Sequence, residues 1–149
     1  DYPDQADRWI FFQRAVMDFF STMAAPHVLH CHDHQTGLIP AYLKKIYRTD
    51  SAFARTATVF TIHNLGYQGL FPEDVMARTG FKDAEFYPAS PFEFFGMLNF
   101  MKVGITYADL VTTVSETYAR EIQESREFGY GLEDVLRGRS GQTGRSLTR

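Results

Sequence analysis

Four of the five histidines in this sequence fall in two short polar clusters. The first runs His30-Cys31-His32-Asp33-His34-Gln35-Thr36. The second runs His63-Asn64-Leu65-Gly66-Tyr67-Gln68-Gly69, and a third, shorter one is Ser115-Glu116. His30 and His32 alternate, so on a strand they point the same way. With Asp33 and His34 they offer the nitrogen and oxygen ligands that zinc accepts, which makes a metal-dependent hydrolase one reading. Against it, the dinuclear pattern HxHxDH is one residue short here, and no cysteine pair or HExxH helix accompanies it. The other reading is hydrogen bonding to a polyhydroxyl ligand, since an imidazole both donates and accepts. His30 alone could equally be a satisfied core histidine.

The second cluster is not a phosphate loop. Gly66 and Gly69 lack the GxGxxG spacing and no GK[ST] follows. The glycines permit left-handed turns, which leaves Asn64, Tyr67 and Gln68 as hydrogen-bonding or stacking groups. No GxSxG elbow appears, so acyl transfer has no support. Glu73, Asp74 and Glu85 sit around Pro72 and are expected to solvate a loop rather than to act as a carboxylate pair.

The elements that must carry these clusters can be read from the apolar pattern. Residues 7–24 predict an amphipathic helix with Trp9, Phe12, Val16, Phe19, Phe20 and Met23 on one stripe. His27–Cys31 reads as a strand, 37–48 as a helix with Pro40 in its first turn, and Thr58–Ile62 as a β-branched strand. Residues 63–91 look like a long irregular excursion and 92–106 like an apolar helix. Leu110–Val114 is a third strand, Ser115 caps a helix over 116–124, and a short helix follows at 131–138. Alternating strands and helices predict an α/β fold, a partial Rossmann-like parallel sheet with flanking helices on both faces. In such sheets ligands gather beyond the carboxyl ends of the strands, and all three polar clusters fall there. Residues 140–149 read as a loose polar tail.

The chain has 149 residues, 44% apolar and 22% charged, which is one domain's worth of globular polypeptide. A net charge of −3 argues against a nucleic-acid partner held through phosphates, and no run of 18 apolar residues predicts a membrane span. The single cysteine, Cys31, fits a reducing compartment. The chain opens on Asp1, so we expect either a removed leader or a start within a longer protein.

Four blocks in order, HCHDHQTGLIPAYLK (30–44), TVFTIHNLGYQGLFP (58–72), ADLVTTVSETYAREIQ (108–123) and EFGYGLEDVLRGR (127–139), resemble bacterial glycogen synthases and plant starch synthases. The resemblance covers residues 8–139. It implies half of the amino-terminal domain of a GT-B architecture, 1–139 here, with 140–149 as a non-family tail. It further implies a retaining hexosyltransferase that moves glucose from ADP-glucose to the non-reducing end of an α-1,4-glucan, with no cofactor beyond that donor and no metal. By this resemblance His32 matches the cleft histidine that contacts the transferred sugar, and Asp33 follows it as a catalytic candidate. His63, Asn64, Tyr67 and Gln68 are expected to line the cleft as substrate-binding residues, and Tyr130 joins them from the FGYG segment. The implied location is a bacterial cytoplasm or a plastid.

There are departures. His34 stands where Trp is common and Glu116 replaces the usual Pro. The family's Lys-Thr-Gly-Gly loop and its whole carboxy-terminal domain are not in this chain, so the expectation is a fragment inactive on its own. Gln142–Arg149 does not resemble the family's linker, and a truncated or frame-shifted reading of a longer gene is the expected reason. A non-catalytic glucan-binding half-domain is a further alternative.

Overall fold

A computed structural model describes residues 2–142. Three parallel strands, β1 (Val28–His32), β2 (Ala57–Ile62) and β6 (Leu110–Thr113), form the main sheet in the order β1-β2-β6. The register pairs His32 with Thr61 across β1 and β2, and Thr61 with Thr112 across β2 and β6. Two of these strands are rich in Val, Ile and Thr, whose branched side chains suit a pleated surface. The predicted parallel sheet is therefore present, with β1 one residue later than its sequence pattern suggests.

The two faces of this sheet differ. Leu29, Cys31, Phe60, Ile62 and Val111 are buried in one core with Met17, Leu38, Phe100 and Val103. On the other face Val28, His30 and His32 are exposed and Val59, Leu110 and Thr112 only partly covered. The expectation of cover on both faces thus fails in this chain. His30 is not a core residue.

Helix α1 spans Gln5–Thr22, but its buried residues are Ala6, Ile10, Gln13 and Met17. The predicted stripe is rotated, with Phe12, Phe19 and Met23 exposed. The helix is aromatic on several sides, so period alone selects no unique face. Gln13 decides it: its side-chain oxygen accepts from the buried Leu38 amide at 2.6 Å while its Nε2 donates to Trp9 O at 3.0 Å. The helix expected at 37–48 is shorter, a turn of α2 (Ile39–Ala41) that widens into a π-helical turn at Tyr42–Ile46, with Pro40 in the first turn as expected.

The largest correction concerns residues 63–106. The excursion contains a short strand, β3 (Leu70–Phe71), and a helical turn, α3 (Met76–Thr79). The expected apolar helix is helical only over α4 (Phe100–Tyr107). Before it, β4 (Glu93–Phe94) and β5 (Met97–Asn99) form a hairpin, and β3-β5-β4 is a second, antiparallel sheet. Phe95 and Gly96 turn the hairpin with φ of 50° and 79°, and Asn99 caps α4 by accepting from the Lys102 amide at 2.9 Å. A glycine and an asparagine inside an apolar run were the turn and cap signals. Helix α4 packs on the sheet through Gly104, where a Cβ would sit 2.5 Å from the Phe60 ring.

Helix α5 (Glu116–Glu124) begins at the predicted cap, with Ser115 Oγ accepting from the Tyr118 amide at 3.1 Å. Helices α6 (Arg126–Gly129) and α7 (Glu133–Gln142) follow. Residues 140–142 of the expected tail thus continue α7, and 143–149 lie outside the described residues. Among the described residues no helix is long and apolar enough to cross a membrane.

Candidate functional site

The parallel register decides where the histidines go. His30 and His32 leave the same face of β1, their rings 4.2 Å apart, and the His63 ring lies 5.3 Å from that of His32. Three imidazoles therefore share one rim at the carboxyl ends of β1 and β2. His30 Nε2 is 2.7 Å from Thr61 Oγ, which is 2.7 Å from Thr112 Oγ, so a polar line runs across all three strands. Alternation along β2 and β6 carries that signal, but threonine is too common in strands to single it out from sequence.

Asp33 locks this arrangement. It leaves β1 with φ of 54°, in the left-handed half of the map that non-glycine residues seldom occupy. That turn aims its carboxylate at His63: Oδ1 accepts from the His63 amide at 2.8 Å and Oδ2 from ring Nδ1 at 2.9 Å. A carboxylate can only accept, so the neutral ring carries its proton on Nδ1 and leaves Nε2 as an acceptor. Asp33 thus acts on His63 directly. Although largely exposed, the His32 ring is partly desolvated, which lowers its pKa; the neighbouring His30 and His63 rings push the same way and Asp33 opposes them.

His34 turns the other way. It is buried, packs edge-on to Trp9, and donates through Nδ1 to the Tyr67 carbonyl at 2.9 Å. Its pKa is lowered by burial, against the pull of that bond and of Asp33. The four-residue set His30, His32, Asp33 and His34 is therefore split between rim and interior. Among the described residues no group of three or more His, Cys, Asp or Glu is placed to hold a metal ion.

The second cluster folds as a braced loop. Asn64 Oδ1 accepts from the Gly66 amide at 2.9 Å, and Tyr118 Oη accepts from Leu65 N at 2.9 Å. Gly69 has φ of 64°, and a Cβ there would lie 2.7 Å from the His34 ring. Tyr67 presents its ring to solvent, 68% exposed, while its carbonyl holds His34. Gln68 is buried and engaged at both ends: Oε1 accepts from Asn99 Nδ2 at 2.6 Å and Nε2 donates to Tyr130 O at 3.2 Å. Its side chain therefore ties three segments together. The Gln68 and Gly69 carbonyls accept from the Met101 and Phe100 amides at 3.0 and 3.1 Å, so the loop sits on the first turn of α4. Tyr130, 53% exposed and with φ of 48°, lays its ring over Gly66.

Glu85 is paired with Lys45 and Asp74 lies 3.5 Å from Arg78, so these carboxylates serve the surface. Asn99, Thr61 and Tyr118 support the site without having been visible as site residues. Asn99 was hidden inside the run mistaken for a helix.

The parallel α/β sheet thus carries His30, His32, Asp33 and His63 at its carboxyl rim, with Tyr67 and Tyr130 exposed nearby. The starch synthase catalytic domain description matches residues 1–138. The chain belongs to that family. It is 46% identical over 140 residues to a glycogen synthase of Elusimicrobium minutum (strain Pei191), covering 93% of this chain and 29% of that protein. It is 54% identical over 137 residues to glycogen synthase 2 of Geobacter sulfurreducens (strain ATCC 51573 / DSM 12127 / PCA), covering 91% and 28%. The catalytic domain of starch synthase IV from Arabidopsis thaliana bound to ADP and acarbose superposes with a TM-score of 0.85 at 28% identity, covering 94% of this chain and 29% of that one. The chain thus spans less than a third of the length of these relatives.

Proposed function

We propose that this chain is the acceptor-side part of a retaining hexosyltransferase that extends an α-1,4-glucan from ADP-glucose, in a bacterial cytoplasm or a plastid. In that reaction the bond from glucose C1 to the donor diphosphate breaks, C1 bonds to O4 of the glucan's terminal glucose, and the hydroxyl proton leaves with the diphosphate. The observation that supports this reading is the rim itself. His32 and His63 stand side by side at 5.3 Å, and Asp33 fixes the tautomer of His63 so that Nε2 can accept from a sugar hydroxyl. Asn64 and the exposed Tyr67 ring extend the same surface, and a sugar ring's apolar face suits an aromatic platform.

These rim groups carry no fixed positive charge. A leaving diphosphate builds negative charge, so positioned cations are expected to supply the largest electrostatic stabilisation. In this proposal they come from the carboxy-terminal domain that the relatives' greater length accommodates. Transfer of labelled glucose from ADP-glucose to glycogen is the test, made on the 149-residue chain beside a protein of the relatives' full length. The chain should bind maltooligosaccharides without turnover. Robust extension by the chain alone would overturn this division of labour, and absence of any oligosaccharide binding would overturn the reading of the rim.

A further inference from the structure

Phe95 is the most exposed of the large apolar side chains among the described residues, at 80%, and nothing in the fold asks for it. It occupies the first of the two turn positions between β4 and β5, where φ is 50°, followed by Gly96 at 79°. Two left-handed residues in a two-residue hairpin make the type I′ geometry that Asn-Gly fits best. Phenylalanine is a poor choice there on backbone grounds, and its ring packs edge-on to Phe94, with centroids 4.7 Å apart.

The tip is nevertheless held firmly. The Glu93 carboxylate accepts from the Ala89 and Gly96 amides, each at 2.7 Å. Lys102 Nζ, buried, donates to the carbonyls of Ser90 and Glu93 at 2.7 and 2.6 Å. The hairpin is also joined to the rim. A Cβ on Gly131 would lie 3.5 Å from the Phe95 ring, and one on Gly66 would lie 3.4 Å from the Tyr130 ring and 3.1 Å from Asn64 Oδ1. Phe95 thus lies beside Gly131, next in the chain to Tyr130, whose ring covers Gly66 in the loop that carries His63, Asn64 and Tyr67.

We infer that the Phe95 ring is a stacking platform for a glucose unit of a glucan, lying outward of the unit held at His32 and His63. This inference rests on the glucan reading of the rim. A rigid apolar ring beside Gly131, next in the chain to the exposed Tyr130, can stack on the apolar face of a pyranose while the sugar's hydroxyl edge stays in water. A polypeptide partner would ask for a broader apolar patch than one ring flanked by Gly96 and Gly131.

The test uses the 149-residue chain and its Phe95→Asn and Phe95→Tyr variants, with maltose and maltoheptaose as ligands in calorimetric titrations. Asparagine suits the turn, so Phe95→Asn should melt at the same temperature or higher. It should bind maltoheptaose about three- to tenfold more weakly, as expected for one aromatic contact. Maltose affinity should not change, and Phe95→Tyr should bind like the parent. Equal maltoheptaose affinity in Phe95→Asn would overturn the inference while leaving the rim reading intact. Equal weakening for maltose and maltoheptaose would overturn it as well. Failure of the parent chain to bind either sugar would overturn the rim reading and this inference with it.

Discussion

Replacing Asp33 by asparagine separates the two bonds that its carboxylate makes to His63. The amide oxygen of asparagine can still accept from the His63 backbone N–H, now at 2.8 Å. The amide nitrogen, however, would face ring Nδ1, where Oδ2 now accepts at 2.9 Å. Two donors cannot share that bond, so the ring must move its proton to Nε2 and accept at Nδ1. Asparagine has the same shape as the aspartate already holding this backbone, φ 54° with ψ −172°, so the turn survives. The structural loss is one charged hydrogen bond exchanged for a neutral one between partly exposed groups, about 1 kcal/mol. Asp33→Ala loses both bonds and places a Cβ-only side chain in the left-handed region, about 2–4 kcal/mol together. If the proposed glucan contact is made, the chemical effect of Asp33→Asn is larger than its structural one, because Nε2 changes from acceptor to donor and loses any hydroxyl proton it accepts. Long-range proton–nitrogen correlation spectra at about pH 8, above the ordinary imidazole range, read the tautomer directly. We expect Nδ1–H in the parent and Nε2–H in Asp33→Asn, with maltooligosaccharide affinity reduced about tenfold, the loss of one good hydrogen bond. An unchanged tautomer together with unchanged affinity would refute the role given to Asp33.

Gly69→Ala should destabilise the chain by about 2–3 kcal/mol in a thermal melt, because φ of 64° disfavours a side chain and the new Cβ would press on the His34 ring. A change below about 0.5 kcal/mol, the ordinary surface value, would mean that the loop repacks freely. Stability should also fall with acid. His32 and His34 both have pKa values lowered by burial, so the unfolded chain binds more protons than the folded one as pH drops below the ordinary imidazole value. Their contribution is complete above about pH 6.5 and declines on descending through the folded values. Urea midpoints measured across that window should fall in the parent and flatten in His34→Gln, and parallel slopes would remove His34 as a source.

The strands were legible because each is a short apolar run ended by a polar cluster, and the parallel order followed from helices between them. The meeting of His32 and His63 was legible for the same reason, since adjacent parallel strands deliver their ends to one edge. The direction of His34 was not. One residue beyond a strand the alternation stops, and the left-handed turn at Asp33 swings the next side chain inward to the Tyr67 carbonyl. The hairpin before α4 was lost because its residues are as apolar as a helix face and its signals are single residues, Gly96 and Asn99. Gln68 shows a different limit: amides look alike in a sequence whether they face a ligand or, as here, brace Asn99 and Tyr130.

The seating of the rim loop on α4 has a dynamic consequence. Phe100 and Met101 have no partners for their amides inside their own helix and borrow them from Gly69 and Gln68. Lifting the loop would therefore fray the helix end, and the two should open as one cooperative unit in hydrogen exchange. A sugar pressing on Tyr67 would then slow deuterium uptake at Phe100–Lys102, backbone that it never touches.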